Sequence, residues 1–173
     1  MMESISFRKL ASQGIQMGKL ITSVLIIWKI AISLSGSQSP VVVVLTGSME
    51  PAFKKGDILF LHMNASPISA GEIVVFKIEG KDIPIVHRVV TVHERQDTGE
   101  IYVLTKGDNN SRDDRHGIYS RDQQWIKRQD MIGRVRGFLP FLGWATIIMK
   151  EIHPSLKYGI YGALGLLLII SSQ

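Results

Sequence analysis

The chain has 173 residues, enough for one ordinary domain with small additions. Its 20 Lys+Arg exceed its 15 Asp+Glu, for a formal charge of +5, without forming a basic stripe interleaved with aromatics, so nucleic acid is not an expected partner. It has no cysteine, which excludes disulfides and thiolate metal sites.

Residues 1–19 are polar, with Arg8, Lys9 and Lys19 set against Glu3. The run from Leu20 to Leu34, LITSVLIIWKIAISL, is mostly apolar. Two readings fit it. Small residues at Ser33-Leu34-Ser35-Gly36 would suit cleavage of a signal peptide. An uncleaved anchor would keep the positive tail cytoplasmic and translocate the rest. The anchor is the reading adopted, although the stretch is short for a span and Lys29 lies inside it.

From Pro40 the texture changes to short apolar runs between turns. Strands are predicted at Val41–Thr46, Ile58–His62, Glu72–Lys77, Ile83–His93, Glu100–Thr105 and Met131–Gly137. Gly56-Asp57, Pro67, Gly71, Gly80-Lys81-Asp82 and Gly107-Asp108 punctuate them. This is the pattern of a compact, mainly β domain. Beyond Gly137 the chain is apolar and glycine-rich, in two stretches separated by His153-Pro154. The second, Leu156 to Ile170, reads either as a helix packed on the domain or as one in or along a membrane.

Three features could carry chemistry. The first is Ser48, in a turn at the mouth of a four-valine run. A serine hydroxyl is a weak nucleophile until a base takes its proton. The second is His87, which strand alternation places on one face with Ile83, Ile85 and Val89. It suits a general base, and equally a core histidine bonded to a carbonyl. The third is TKGDNNSRDDRHGIY, residues 105–119, with Asp108, Asp113 and Asp114. It reads as a solvated turn or as the source of a carboxylate that orients the histidine. It lacks the EF-hand spacing of calcium ligands, and no metal is expected.

Taken in order, VVVVLTGSMEPAFKKGDILFL, IPIVHRVV, LTKGDNNSRDDRHGIY and IGRVRGFLPFLG resemble the endoplasmic-reticulum signal peptidase family, its serine–histidine branch, over roughly residues 20–155. The resemblance implies a small, curled, barrel-like β domain at 37–138. A cytoplasmic tail at 1–19 and a signal-anchor helix at 20–36 would precede it. An apolar, membrane-associated segment with a short helix would follow at 139–173.

It also implies a membrane serine endopeptidase, facing the lumen, that cleaves signal peptides after small residues at −1 and −3, without a cofactor. Ser48 matches the nucleophile and His87 the base. Asp114 matches the carboxylate partner of the histidine, with Asp113 as the alternative, and Asp108 takes a supporting role. Met49 matches a residue lining the −1 pocket, with Val43 and Ile85 as further pocket candidates. Thr46 stands where the family commonly has serine, and its hydroxyl remains a candidate oxyanion donor.

The expected partners are signal peptides of precursor proteins, the lipid bilayer, and other membrane subunits of a complex. Gly159, Gly162 and Gly165 give a helix face that another helix could approach. A catalytically silent scaffold subunit and a serine–lysine peptidase of bacterial type are the competing readings. Sequons at Asn64 and Asn109 are expected to be poor glycosylation sites, since Pro67 follows the first and the second lies in the candidate active loop.

Overall fold

The computed structural model describes residues 7–151 together with Tyr158, Gly159, Gly162 and Gly165. Helix α1 runs from Phe7 to Ser35. It starts well before the apolar run at Leu20, because residues such as Arg8, Lys9 and Gln13 sustain the same backbone ladder without apolar side chains. The stretch Ala11–Ser35, 25 residues, is long and apolar enough to cross a membrane. The shortness read from Leu20–Leu34 alone therefore disappears.

Residues 32–147 form the compact unit that carries the sheet. Its strands are β1 (Val41–Val43), β2 (Ile58–His62), β3 (Ile73–Phe76), β4 (Ile85–Glu94), β5 (Ile101–Lys106), β6 (Ile126–Lys127) and β7 (Met131–Leu139). A short 3-10 turn, Arg128–Asp130, links the last two, and helix α2 spans Trp144–Glu151. All pairings are antiparallel, in the order β1-β2-β7-β3-β4-β5-β6. The late strand β7 thus joins the β1-β2 hairpin to the rest. The register slips at Phe60/Leu61, Val75/Phe76 and Val89/Thr91. Each slip bends its strand, and together they curl the sheet into a half-barrel.

The core lies on both faces of β3. Val74 and Phe76 join Ile68, Ile78, Val89, Val103, Leu104, Tyr119, Ile126 and Met131 in one cluster. Val75 points the other way, into a second cluster with Val44, Met49, Phe53, Leu59 and Leu61. A strand buried on both faces reads as a continuous apolar run, which is why IVVF shows no alternation.

The predicted strand Val41–Thr46 stops early. Val44 still pairs outside the regular ladder, through Val44 N–H to Asp57 O and Gly56 N–H to Val44 O, both at 2.9 Å. Beyond it the chain turns towards Ser48. Strand β6 was not anticipated, since two residues give no period. Of the predicted helix Leu156–Ile170, all but the described Tyr158, Gly159, Gly162 and Gly165 lie outside the described residues.

Gly56 and Asp57 clasp the base of the β1–β2 loop. The buried Asp57 carboxylate accepts from Lys54 N–H at 2.8 Å and from Phe141 N–H at 3.1 Å. Gly56 has φ +94°, and a Cβ there would lie 2.3 Å from the Trp144 ring. Its carbonyl accepts from Gly143 N–H at 2.8 Å. Gly56→Ala combines a forbidden φ with a collision. It should lower the unfolding free energy by about 1–3 kcal/mol, read from the midpoint of a denaturant titration.

Candidate active site

His87 is the third residue of β4, opposite Val74 of β3. Its side chain therefore enters the face of the first core cluster and is 2% exposed. The Phe76 ring packs edge-on against it, with centroids 6.4 Å apart. Such a position needs polar partners for both ring nitrogens. They come from two loops. His87 Nδ1 lies 2.6 Å from Asp114 Oδ2, and Nε2 lies 3.1 Å from Ser48 Oγ. The three residues are separated by 39 and 27 positions in sequence.

Asp114 is 1% exposed, and its loop is folded tightly onto β5. Its N–H donates to Thr105 O at 3.0 Å, and its carbonyl accepts from Ile118 and Tyr119 N–H at 3.0 and 2.9 Å. The Thr105 hydroxyl donates to Asp114 Oδ2 at 2.6 Å. Asp113 turns the other way. It pairs with Arg115 at 2.8 Å and His116 at 3.1 Å on the outside of the loop. Hydrogen bonds from Arg115, supported by His116, hold the Asp113 carboxyl down at about 2. The geometry thus separates the two neighbouring aspartates. Asp114 meets the histidine and Asp113 does not.

Asp108 touches neither Ser48 nor His87. Arg88, the residue after His87, grips it with two bonds, Nε to Oδ1 at 2.8 Å and a terminal nitrogen to Oδ2 at 2.6 Å. These bonds hold the Asp108 carboxyl below its usual range. The clamp fixes the turn that supports the serine. In that turn Asn109 donates its N–H to Ser48 O at 2.9 Å and its amide to Gly47 O at 3.2 Å. Gly107 fills the narrowest point, where a Cβ would lie 2.7 Å from Ser48 O and 2.9 Å from His87 Nε2.

Thr46 is exposed, with its hydroxyl 3.3 Å from Ser48 Oγ. Met49, expected to line a pocket, is 1% exposed and packed in the second core cluster. It turns inward because the turn that exposes Ser48 directs its neighbour to the core. Val43 is half-buried on the edge strand β1, and Ile85 is half-buried against the first core cluster. Among the described residues no cluster of His, Asp and Glu could hold a metal ion.

Four residues of this neighbourhood escaped the sequence reading. Arg88 could have been found as the opposite charge to Asp108, beside the candidate base. Asn109 lay within the GDNN motif. Thr105 and Tyr119 carried no local signal.

Residues 15–128 match the family model described as Peptidase S24-like. The human signal peptidase complex catalytic subunit SEC11C is 50% identical over 173 residues, covering 99% of this chain and 88% of the human protein. Mouse SEC11C is 52% identical over 167 residues, covering 96% and 85%. The sec11 catalytic subunit of Dictyostelium discoideum is 51% identical over 155 residues, covering 90% and 85%. With half its residues shared along nearly its whole length, the chain belongs to the family of signal peptidase complex catalytic subunits.

Proposed function

We propose that this chain hydrolyses signal peptides through an acyl-enzyme on Ser48, with His87 as general base and Asp114 as its orienting carboxylate. One observation carries the assignment: the unbroken contact Ser48 Oγ–His87 Nε2 at 3.1 Å and His87 Nδ1–Asp114 Oδ2 at 2.6 Å. The activity itself, serine-type peptidase cleavage of signal peptides, is that of the family.

Asp114 accepts the Nδ1 proton, so Nε2 carries the lone pair facing the serine. Ser48 Oγ attacks the scissile carbonyl carbon as its proton passes to Nε2. The resulting oxyanion is received by the Ser48 N–H and the Thr46 hydroxyl. Collapse breaks the C–N bond, and the imidazolium returns its proton to the leaving amine. Water, deprotonated by the same nitrogen, then hydrolyses the acyl ester and frees Ser48. Asp108 acts through Arg88 and Asn109, holding the Ser48 turn at its working distance.

The substrate lies extended, pairing its main chain with β1, an edge strand that ends shortly before Ser48. Half-buried Val43 and Ile85 border its −1 and −3 side chains, and buried Met49 backs the same turn. This supports a preference for small residues there. Helix α1 anchors the chain in the endoplasmic-reticulum membrane with the sheet in the lumen, beside the bilayer and other subunits of a complex. A serine–lysine mechanism is disfavoured because the nitrogen facing Ser48 belongs to an imidazole. A silent scaffold is disfavoured because every contact of a working triad is made.

Ser48→Ala should abolish cleavage of a fluorogenic signal-peptide substrate and leave the unfolding midpoint unchanged, since the side chain is only half-buried. Asp114→Asn should lower kcat by roughly 10³–10⁴, as in other triads, whereas Asp113→Asn should stay within a few-fold. Equal losses would mean that the wrong carboxylate is assigned.

A general base acts only unprotonated, so the rate should fall along an acid limb. Arg88 and Arg115 hold Asp108 and Asp113 below the ordinary carboxylate range, so neither contributes to that limb. Their depressed values add stability that is present at neutral pH and lost only as pH falls towards about 2 for Asp113. A rate still climbing through about pH 9 would indicate a lysine base instead.

Gly107→Ala must move the Ser48 carbonyl or the His87 ring. A displacement approaching 1 Å costs about a hundredfold in rate, so kcat should drop by about that factor in a folded protein. Wild-type kcat in this variant would show that the loop yields freely.

A further inference from the structure

The mechanism uses one oxygen of Asp114 and leaves unexplained the two buried hydroxyls stacked behind it. Thr105 is 0% exposed and Tyr119 is 7% exposed. Thr105 Oγ1 lies 2.6 Å from Asp114 Oδ2 and 2.8 Å from Tyr119 OH, and the Thr105 N–H donates to the same Tyr119 oxygen at 2.9 Å.

Counting hydrogens fixes every direction. An ionised carboxylate only accepts, so the single hydroxyl proton of Thr105 goes to Asp114 Oδ2. The Tyr119 oxygen receives the Thr105 N–H, and its own proton has Thr105 Oγ1 as its acceptor. Thr105 Oγ1 therefore accepts from tyrosine while donating to aspartate. Hydrogen bonds in such a row polarise one another, so the last donation is strengthened by the first. Asp114 Oδ2 then receives two short bonds, from Thr105 and from His87 Nδ1, whereas Oδ1 is buried with no partner among the described residues. A carboxylate held by a single bond to His87 could swing about its Cβ–Cγ bond. The Thr105 hydroxyl is what resists that swing.

The far end of the row is fixed as well. Burial pushes the Tyr119 phenol up to about 12, so it remains a donor at neutral pH. Phe76 packs edge-on against both the His87 ring and the Tyr119 ring, with centroids 6.4 and 6.2 Å apart. One aromatic side chain thus sets the distance between the two ends of the row.

We propose that Thr105 and Tyr119 are positioning residues of the active site, a unidirectional hydroxyl row that locks the Asp114 carboxylate against His87. They touch no substrate and act through Asp114. The proposal rests on the assignment of Ser48, His87 and Asp114 as the triad.

The test uses the full chain, purified in detergent with the subunits that accompany it, and a fluorogenic signal-peptide substrate. Thr105→Val keeps the shape and removes the donor. It should lower kcat roughly ten- to a hundredfold, with KM within about twofold, because a bond to a charged acceptor is lost behind the substrate site. Thr105→Ser restores the hydroxyl and should recover kcat to within about threefold of wild type. Tyr119→Phe should cost less than Thr105→Val. In the double variant its effect on kcat should shrink, since without the threonine hydroxyl the Tyr119 oxygen meets only the residue 105 N–H.

Unchanged kcat in folded Thr105→Val overturns the proposal, as does a Tyr119→Phe loss that persists in full without the Thr105 hydroxyl. If Thr105→Val does not fold, Tyr119→Phe and Thr105→Ser decide. A kcat loss of several-fold in Tyr119→Phe at unchanged KM, with wild-type behaviour in Thr105→Ser, supports the row. Unchanged kcat in Tyr119→Phe sinks it. Ser48→Ala is run alongside. Residual cleavage there defeats the triad assignment itself, whereas an inactive Ser48→Ala beside a fully active Thr105→Val defeats only the row.

Discussion

A carboxylate held at 1% exposure is the constraint around which this domain is arranged. A charge removed from water must recover its lost hydration from fixed donors. Asp114 does so with an imidazole from β4 and a hydroxyl from β5, while the backbone of its own loop is tied to Thr105 O. None of these donors is a neighbour in sequence. The curl of the sheet, the burial of β3 on both faces and the tight 114–119 turn all serve to bring them within bonding distance. The same arrangement places the other ring nitrogen of His87 3.1 Å from the Ser48 hydroxyl.

The second requirement is that the serine stay where the histidine points. A turn at the end of a short edge strand would not hold it unaided, since β1 is only three residues long. The turn is braced from outside by the 107–109 loop, which is pinned through Arg88 to the same strand that carries His87. Ser48 and His87 are therefore referenced to one strand. Arg88 half-emerges from β4 on the side opposite to His87, so alternation along a single strand turns the histidine inward and the brace outward.

Much of this was legible in the sequence. Ser48, His87 and the β character of residues 41–139 followed from turn chemistry, alternation and the family resemblance, and the structure brings Ser48, His87 and Asp114 into contact. What stayed hidden had physical reasons. Asp113 and Asp114 are adjacent in a loop, where no period says which side chain turns inward. Strand β6 is two residues held by pairing with Tyr102 and Val103, so its strand character is entirely tertiary. The start of α1 was missed because hydropathy reports side chains, whereas the helix is carried by its backbone. Met49 was expected to line a pocket, and the turn that carries Ser48 places its side chain in the second core cluster.

The place of β7 between β2 and β3 has a consequence for how the sheet is completed. The ladder carrying the serine and the ladder carrying the histidine and aspartate share no pairing of their own; β7 alone joins them in the sheet. That strand, Met131–Leu139, follows Ser48, His87 and Asp114 in the chain. Apart from β7, the two ladders are linked by the contacts of Asn109 with the Ser48 turn and by the packing of Val75 against Val44 and Met49. The sheet that aligns Ser48 with His87 is thus completed by the last of its strands in sequence.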